Sequence, residues 1–393
     1  MKHVDVVIIG AGAAGLMCAI EAGKRGRKVL LVDHANKAGK KILMSGGGRC
    51  NFTNYSVEAD NFLSHNQHFC KSALSRYSQW DFLAKVQQHQ IAFQERDHGQ
   101  LFCEHSAKDL LSMLLRECQE AGAHLQLNTH IESISQQDDG QFLLKTQKQT
   151  IQSQSLVVAT GGLSIPKMGA TPLGYQIAAQ FGLKVQPTRA GLVPLTLQPE
   201  DKATFAALSG LSTHCTVSNQ RQSFTENLLF THRGLSGPVI LQMSSYWREG
   251  EPLSVDFLPG TQLHEELTEA RNSSGKVKLK NYLGKFLPKQ LIAALLPADL
   301  LDTSIAELSE QQLQTVNQQL HQWSIKPNGT EGYRTAEVTL GGVDCDQISS
   351  KTLEAKTVTG LYFVGEVLDV SGWLGGYNFQ WAWASGWCAG QFV

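Results

Sequence analysis

The first thirty-three residues hold the tightest constraint on the fold. Val4, Val6, Val7, Ile8 and Ile9 make a nearly continuous apolar run, the pattern of a parallel strand covered on both faces. Gly10, Gly12 and Gly15 follow in GxGxxG spacing, then a helical stretch to about Arg25 and a second strand, KVLLVD, ending in Asp33. A lone GxGxxG says little, but strand, glycine turn, helix, strand and acid in this order define a dinucleotide-binding βαβ unit. Gly10 permits the tight turn, Gly12 lets backbone approach a pyrophosphate, Ala13 and Ala14 complete the phosphate-side turn, and Gly15 allows close helix packing. The helix N-terminus faces the diphosphate charge, and Asp33 accepts ribose hydroxyls.

A chain of 393 residues is too long for one ordinary core, so two or three domains are expected. Lys+Arg of 34 against Asp+Glu of 35 leaves a formal charge of -1, so the whole molecule has no bias toward nucleic acid or anionic membrane. Any such partner must meet a local patch. The eight cysteines are scattered, without CxxC or paired spacing with histidine, which argues against a metal site or disulfide framework and for a reducing compartment. The glycine-broken N-terminal run reads as a nucleotide-binding strand rather than a signal peptide, and a cytoplasmic location is expected. The stretch Val370 to Val393 carries no charge and holds Trp373, Trp381, Trp383 and Trp387. Its glycines, Asn378, Gln380 and Gln391 suit a buried helix better than a membrane span.

Two amphipathic helical patterns lie between residues 68 and 122, the second opened by Ser106 with Asp109 in capping-box spacing. HLQLNTHIESI, a DDG turn, FLLKT and SLVVAT then suggest an antiparallel excursion returning to a buried strand, followed by the glycine turn Gly161-Gly162. From about residue 190 the character changes. Strand-like pieces and FTHRGLSGP give way to a helical pattern, with Ser304 and Glu307 as a capping box and Ile305, Leu308, Leu313, Val316, Leu320 and Trp323 at helical spacing. The expected organisation is a discontinuous dinucleotide domain, residues 1–189 and 331–393, around an insertion at 190–330. That insertion is β-rich to about 260 and helical from about 261.

A second glycine loop, SGGGRCNFTN at 45–54, needs its own explanation. GAGAAG, KKILMSGGGRCNFTN, ATGGLSIPKMGATPLGY, FTHRGLSGP, TEGYRTAEVTLGGV and GLYFVGEVLDVSGWLGGYNFQWAWASG together resemble the YhiN/BaiN-like flavoproteins along essentially the whole chain, most closely the proteobacterial YhiN branch. The resemblance implies an α/β, glutathione-reductase-like, doubly wound FAD domain with an inserted substrate-side domain. FAD is longer than one βαβ unit can cover, so further contacts are required. Ser45, Gly46, Gly47, Gly48 and Asn51 offer a small, backbone-rich path, with Lys41 heading the same block. Arg49 can neutralise phosphate or pin the loop; Cys50 can be redox-active or a buried thiol. Thr160, Gly161 and Gly162 cross the cofactor after a buried strand. The resemblance further implies backbone contact at Ile131 on the adenine side and Glu366 against the ribityl hydroxyls. Gly376, Asn378 and Phe379 open a helix aimed at the flavin, where positive helix-terminus potential stabilises charge on the reduced ring. No second GxGxxG follows a strand, so NAD(P)H is expected only as a transient donor beside the flavin, unless reductant comes from elsewhere.

Flavin hydride transfer also needs a proton donor, for which Cys103, His232 and Arg334, with Tyr333 beside it, are candidates. His232 has the best claim, because histidine is the side chain type suited to proton transfer at neutral pH and this one lies in a glycine-shaped loop. Between Ala270 and Ala298 lie Arg271, Lys276, Lys278, Lys280, Lys285 and Lys289, no acidic residue, and the aromatics Tyr282 and Phe286. Such a stretch can hold phosphates and stack bases, or be a solvated face. The YhiN-like branch implies uridine reduction to dihydrouridine in large-subunit ribosomal RNA. Two alternatives stand beside it: reduction of a small enone-type substrate, as the BaiN name implies, and non-enzymatic RNA binding with structural FAD.

Overall fold

The N-terminal apolar run forms the strand Lys2–Ile9, inside a seven-stranded sheet of a computed structural model that describes residues 1–273 and 276–393. The chain divides into two compact units, Met1–Arg189 with Glu337–Val393, and Ala190–Ala336. In the first unit, His124–Gln126, Val29–Val32, Lys2–Ile9 and Thr150–Val158 lie side by side in parallel register. The long strand Thr150–Val158 serves two partners in turn. Its first residues pair antiparallel with Phe142–Thr146, and Leu156 to Val158 pair parallel with Leu361–Phe363. The C-terminal segment thereby completes a sheet that the N-terminus began, which makes the domain discontinuous. HLQLNTHIESI splits between two roles: His124–Gln126 joins the parallel sheet, whereas Ile131–Gln136 pairs with Phe142–Thr146.

The helix Tyr377–Gly390 explains the uncharged C-terminus. Trp381 and Trp383 are 1% and 0% exposed, and their indole N–H groups donate to Gly365 O (3.1 Å) and Phe52 O (2.8 Å). Trp383 stacks on Phe82 at 4.3 Å. Gly386 meets the first helix, Ala13–Lys24, so closely that a Cβ there would lie 2.4 Å from Ala14 O. A helix covered on every side needs no polar face. Among the described residues, no helix is long and apolar enough to cross a membrane.

The second unit has its own core under a seven-stranded antiparallel sheet. Trp323–Ile325, Leu253–Asp256, Ser212–Ser218, Ser223–Phe230, Gly234–Ser236, Leu195–Thr196 and Gly329–Thr330 follow in that order across it. The two strands at its edges come from beyond the helical stretch. Gly329–Thr330 pairs with Leu195–Thr196, Glu331 N–H donates to Pro194 O (3.0 Å), and buried Ala336 packs with Ala190 and Val193. This unit therefore runs to residue 336, six positions past the expected junction. The helical reading of 304–323 also needs correction. Its apolar residues are all buried, but Ile305–Glu307 is one 3-10 turn, Glu310–His321 is the helix, and Trp323 belongs to a strand. The reciprocal capping box is Ser309 with Gln312, not Ser304 with Glu307. Ser106 caps its helix by accepting from Lys108 N–H (3.2 Å), while the box in this region is Ser78 with Asp81.

Candidate functional site

The glycine turn is built as a cradle. Gly10 has φ +111, and a Cβ there would lie 2.3 Å from Ala159 O; one on Gly15 would lie 1.9 Å from Gly10 O. Both positions exclude a side chain by close approach within the fold. Gly12 differs, because its Cβ would meet nothing within 4 Å. It opens into free space at the N-cap of Ala13–Lys24, which has no side-chain cap, and Ala13 and Ala14 form the first turn. Open space beside helix N–H groups fits a diphosphate. Asp33 is fixed beside it by Ala11 N–H (2.7 Å) and Ala35 N–H (2.8 Å). Lone pairs remain on the carboxylate for ribose hydroxyls. Thr129 N–H donates to Asp33 O (2.9 Å), which brings the start of Ile131–Gln136 to the same end of the path.

A partly buried network surrounds Glu366. Lys41 Nζ donates to its Oε2 (2.6 Å), and Ser164 Oγ and Thr339 N–H donate to its Oε1 (2.9 Å each). Thr339 Oγ1 in turn accepts from Leu163 N–H (2.8 Å) and Ser164 N–H (3.1 Å). Burial pushes the carboxyl up, but the Lys41 charge and these hydrogen bonds outweigh it and hold Glu366 below the ordinary carboxylate range. A Cβ on Gly162 would lie 2.8 Å from Glu366 Oε1, and one on Gly161 would lie 3.8 Å from Oε2. Thr160 Oγ1 lies 2.2 Å from where Gly174 would place a Cβ. Gly365 sits against Ala14, so the Glu366 turn adjoins the start of the first helix. Ser164 and Thr339 were missed by sequence reasoning. Ser164 follows the Gly161-Gly162 pair in GGLSIP, a usable signal, but nothing local marks Thr339.

The second glycine loop meets the C-terminal helix here. Helical geometry in Lys40–Gly48 breaks at Ser45, and Gly46, Gly47, Gly48 and Cys50 all take positive φ. Gly47 faces open space, as Gly12 does. Ser45 Oγ donates to Ile42 O (3.0 Å), and Asn51 Nδ2 donates to Gln100 Oε1 (2.8 Å). A Cβ on Gly376 would lie 2.4 Å from Thr53 O and 2.8 Å from Asn51 Oδ1, so the helix start rests on the strand after the loop. The Asn378 side chain is occupied, its Oδ1 accepting from Gly372 N–H (2.8 Å) and its Nδ2 donating to Gly372 O (2.8 Å). Phe379 stacks on Trp383 at 5.6 Å. What these two residues can offer a cofactor is backbone at the helix N-terminus.

The candidate proton donors separate. Cys103 is 0% exposed in the core of the first unit, and burial pushes its thiol up to about 12, so it is a packing residue rather than a donor. Cys50 is likewise fully buried. His232 and Arg334 are exposed on the second unit. His232 tips the tight hairpin between Ser223–Phe230 and Gly234–Ser236, where Thr231 Oγ1 accepts from Arg233 N–H (3.3 Å) and Gly234 N–H (3.1 Å). Arg233 pairs with Glu331 (3.4 Å), which joins this hairpin to the TEGYRTAE segment. The basic stretch is less one-sided than its sequence. Asp302 pairs with Lys278 (3.0 Å) and Lys280 (2.6 Å), and Glu310 pairs with Arg271 (3.3 Å). Exposed Lys285 lies over the Tyr282 ring at 4.3 Å, and Lys276 and Lys289 are also exposed.

The parallel sheet, the glycine turn and the acid at the end of the second strand define the first unit as a Rossmann-type dinucleotide-binding domain. The family described as HI0933-like protein Rossmann domain matches residues 4–392, and the chain belongs to it. The chain is 51% identical over 393 residues to the ribosomal RNA dihydrouridine synthase of Escherichia coli (strain K12), covering 100% of this chain and 98% of that protein. Identity to the protein of the same name from Haemophilus influenzae is 49%, over 98% of this chain and 97% of that one. The 3-dehydro-bile acid delta(4,6)-reductase of Clostridium scindens is 28% identical, over 98% of this chain and 97% of its own length.

Proposed function

We propose that the first unit holds FAD and that the protein reduces uridine to dihydrouridine in ribosomal RNA, with the large subunit as the substrate. The observation that carries this reading is the 51% identity across the whole chain to a ribosomal RNA dihydrouridine synthase. The open space at Gly12 and Gly47, with Gly161 close to Glu366, supports the cofactor part. Bound there, FAD would supply hydride transfer to the uracil ring double bond. The first turn at Gly12, Ala13 and Ala14 receives the pyrophosphate, and Asp33 receives the adenosine ribose. Glu366, kept ionised by Lys41, accepts ribityl hydroxyls. Ser45 to Gly48 and the helix start at Gly376 line the remainder, with helix-terminus potential favouring negative charge. His232 is the first choice for delivering the proton and Arg334 the second. Lys276, Lys285 and Lys289 hold RNA phosphates, NAD(P)H visits as a transient donor, and the work takes place in the cytoplasm.

The test is mass mapping of dihydrouridine in ribosomal RNA from a deletion strain, with and without the gene restored. Loss on deletion and recovery on restoration are expected; full dihydrouridine in the deletion strain would sink the reading. A second reading, reduction of a small enone-type molecule, is favoured by the full-length likeness to the C. scindens reductase. It predicts turnover with free ligand and indifference to the three lysines.

A further inference from the structure

Trp80 is a large apolar side chain left exposed at the surface. It is 54% exposed, in the first turn of the helix Gln79–Gln88, whose Phe82, Leu83 and Val86 bury the opposite face. One face of its indole is taken by Tyr55, at 5.6 Å between centroids and 25° between planes. Both rings are held from the backbone. Gln79 Nε2 donates to Tyr55 O (3.0 Å), Tyr55 N–H donates to Gly99 O (2.9 Å), and the Ser78–Asp81 box fixes the helix start. The residue before Tyr55 is tied to the start of the C-terminal helix. Asn54, next to Tyr55 and 1% exposed, donates through Nδ2 to Gly375 O (3.0 Å), one residue before the helix cap at Gly376.

We propose that Trp80, backed by Tyr55, stacks one unpaired base of the RNA, a role that rests on the reading of the substrate as RNA. Reducing a uridine requires the base to leave its stack, so neighbouring nucleotides lose stacking partners as well. A preformed ring pair replaces one of them. The size of the surface favours this occupant over a protein. Exposed large apolar side chains among the described residues are Met1, Met44, Trp80, Val277 and Phe392, few for a protein interface, whereas a base needs only one ring face. Asp81, Glu95 and Asp97 outnumber Arg96 around it, so phosphate charge does not draw RNA here and the contact must come from stacking.

The test compares the full-length protein with Trp80→Ala and Trp80→Phe, using fluorescence anisotropy of a labelled single-stranded oligouridylate over a range of salt. Trp80→Ala should bind on the order of tenfold more weakly, with the salt slope unchanged, Trp80→Phe should stay near wild type, and the visible flavin spectrum should be the same in all three. Equal binding by wild type and Trp80→Ala overturns the platform while leaving the RNA reading intact. So does an equal loss in Trp80→Ala and Trp80→Phe with a lowered Tm, which would make Trp80 a packing residue. If wild type itself fails to bind the oligouridylate and the deletion strain keeps its dihydrouridine, the RNA reading falls and takes the platform with it.

Discussion

Gly12 and Gly15 occupy one motif and do opposite things. A side chain on Gly15 must enter the space of Gly10 O, whereas one on Gly12 meets nothing within 4 Å. Gly15→Ala is therefore expected to destabilise the fold by about 1–3 kcal/mol or more through overpacking, measured by denaturant unfolding. Gly12→Leu should leave the apo-protein's Tm nearly unchanged and abolish cofactor retention, read as loss of flavin absorbance after purification. Full flavin occupancy in Gly12→Leu would remove the basis for the cofactor site. This division was legible in the sequence because GxGxxG spacing encodes backbone geometry, which is local. The partners of Glu366 were not, because Lys41, Ser164 and Thr339 lie 325, 202 and 27 residues away.

Between elements, tertiary contact changes what a stretch of sequence means. Glu117, on the helix Ala107–Glu120, is 6% exposed and receives Lys24 (3.1 Å) from the first helix, and Lys85 and the C-cap His89 (2.9 Å) from the helix Gln79–Gln88 and its end. Burial alone would raise this carboxyl, but the hydrogen bonds and charges of Lys85 and Lys24 bring it down to about 2. A folded-state pKa below the unfolded one stabilises the protein above the unfolded value, and that stability is lost as pH falls. About 3 kcal/mol should disappear between roughly pH 4.5 and pH 2, and Glu117→Gln should flatten the curve in this window. An unchanged acid limb in the variant would show that other carboxylates control it. The basic stretch illustrates the same point. Asp302 and Glu310 come from outside the segment, so a count of local charge overstated it. Changing Lys276, Lys285 and Lys289 together to glutamate should weaken RNA binding and reduce the salt slope by about one for each phosphate no longer neutralised. Changing Lys278 alone to alanine should do little, because it already shares Asp302 with Lys280. Filter binding across a salt series separates the two, and equal losses would remove the special role of the three lysines.

At the scale of the molecule, each unit closes around its own core, and all eight cysteines are buried and free. Burial pushes the thiols up, to about 11 for Cys70 and Cys388 and about 12 for Cys118 and Cys215, and the thiolate is the reactive form. The native protein should react slowly with a disulfide reagent and release eight equivalents only on denaturation. Rapid labelling of Cys50 in the folded protein would reopen a redox role for it. Short-range pattern was enough for the βαβ start, the second glycine loop, the buried tryptophan helix and the change of character near residue 190. Each is written in short-range spacing, in apolar period, or in glycines that only close approach requires. Tertiary structure decided the rest. It set the return of Gly329–Thr330 to the second sheet, the division of 304–323 into turn, helix and strand, and the donors around Glu366. It also paired the basic stretch with Asp302 and Glu310, and buried Cys103. Those outcomes depend on which distant segments share a sheet edge or a core, and such pairings leave no periodic mark on the residues that make them.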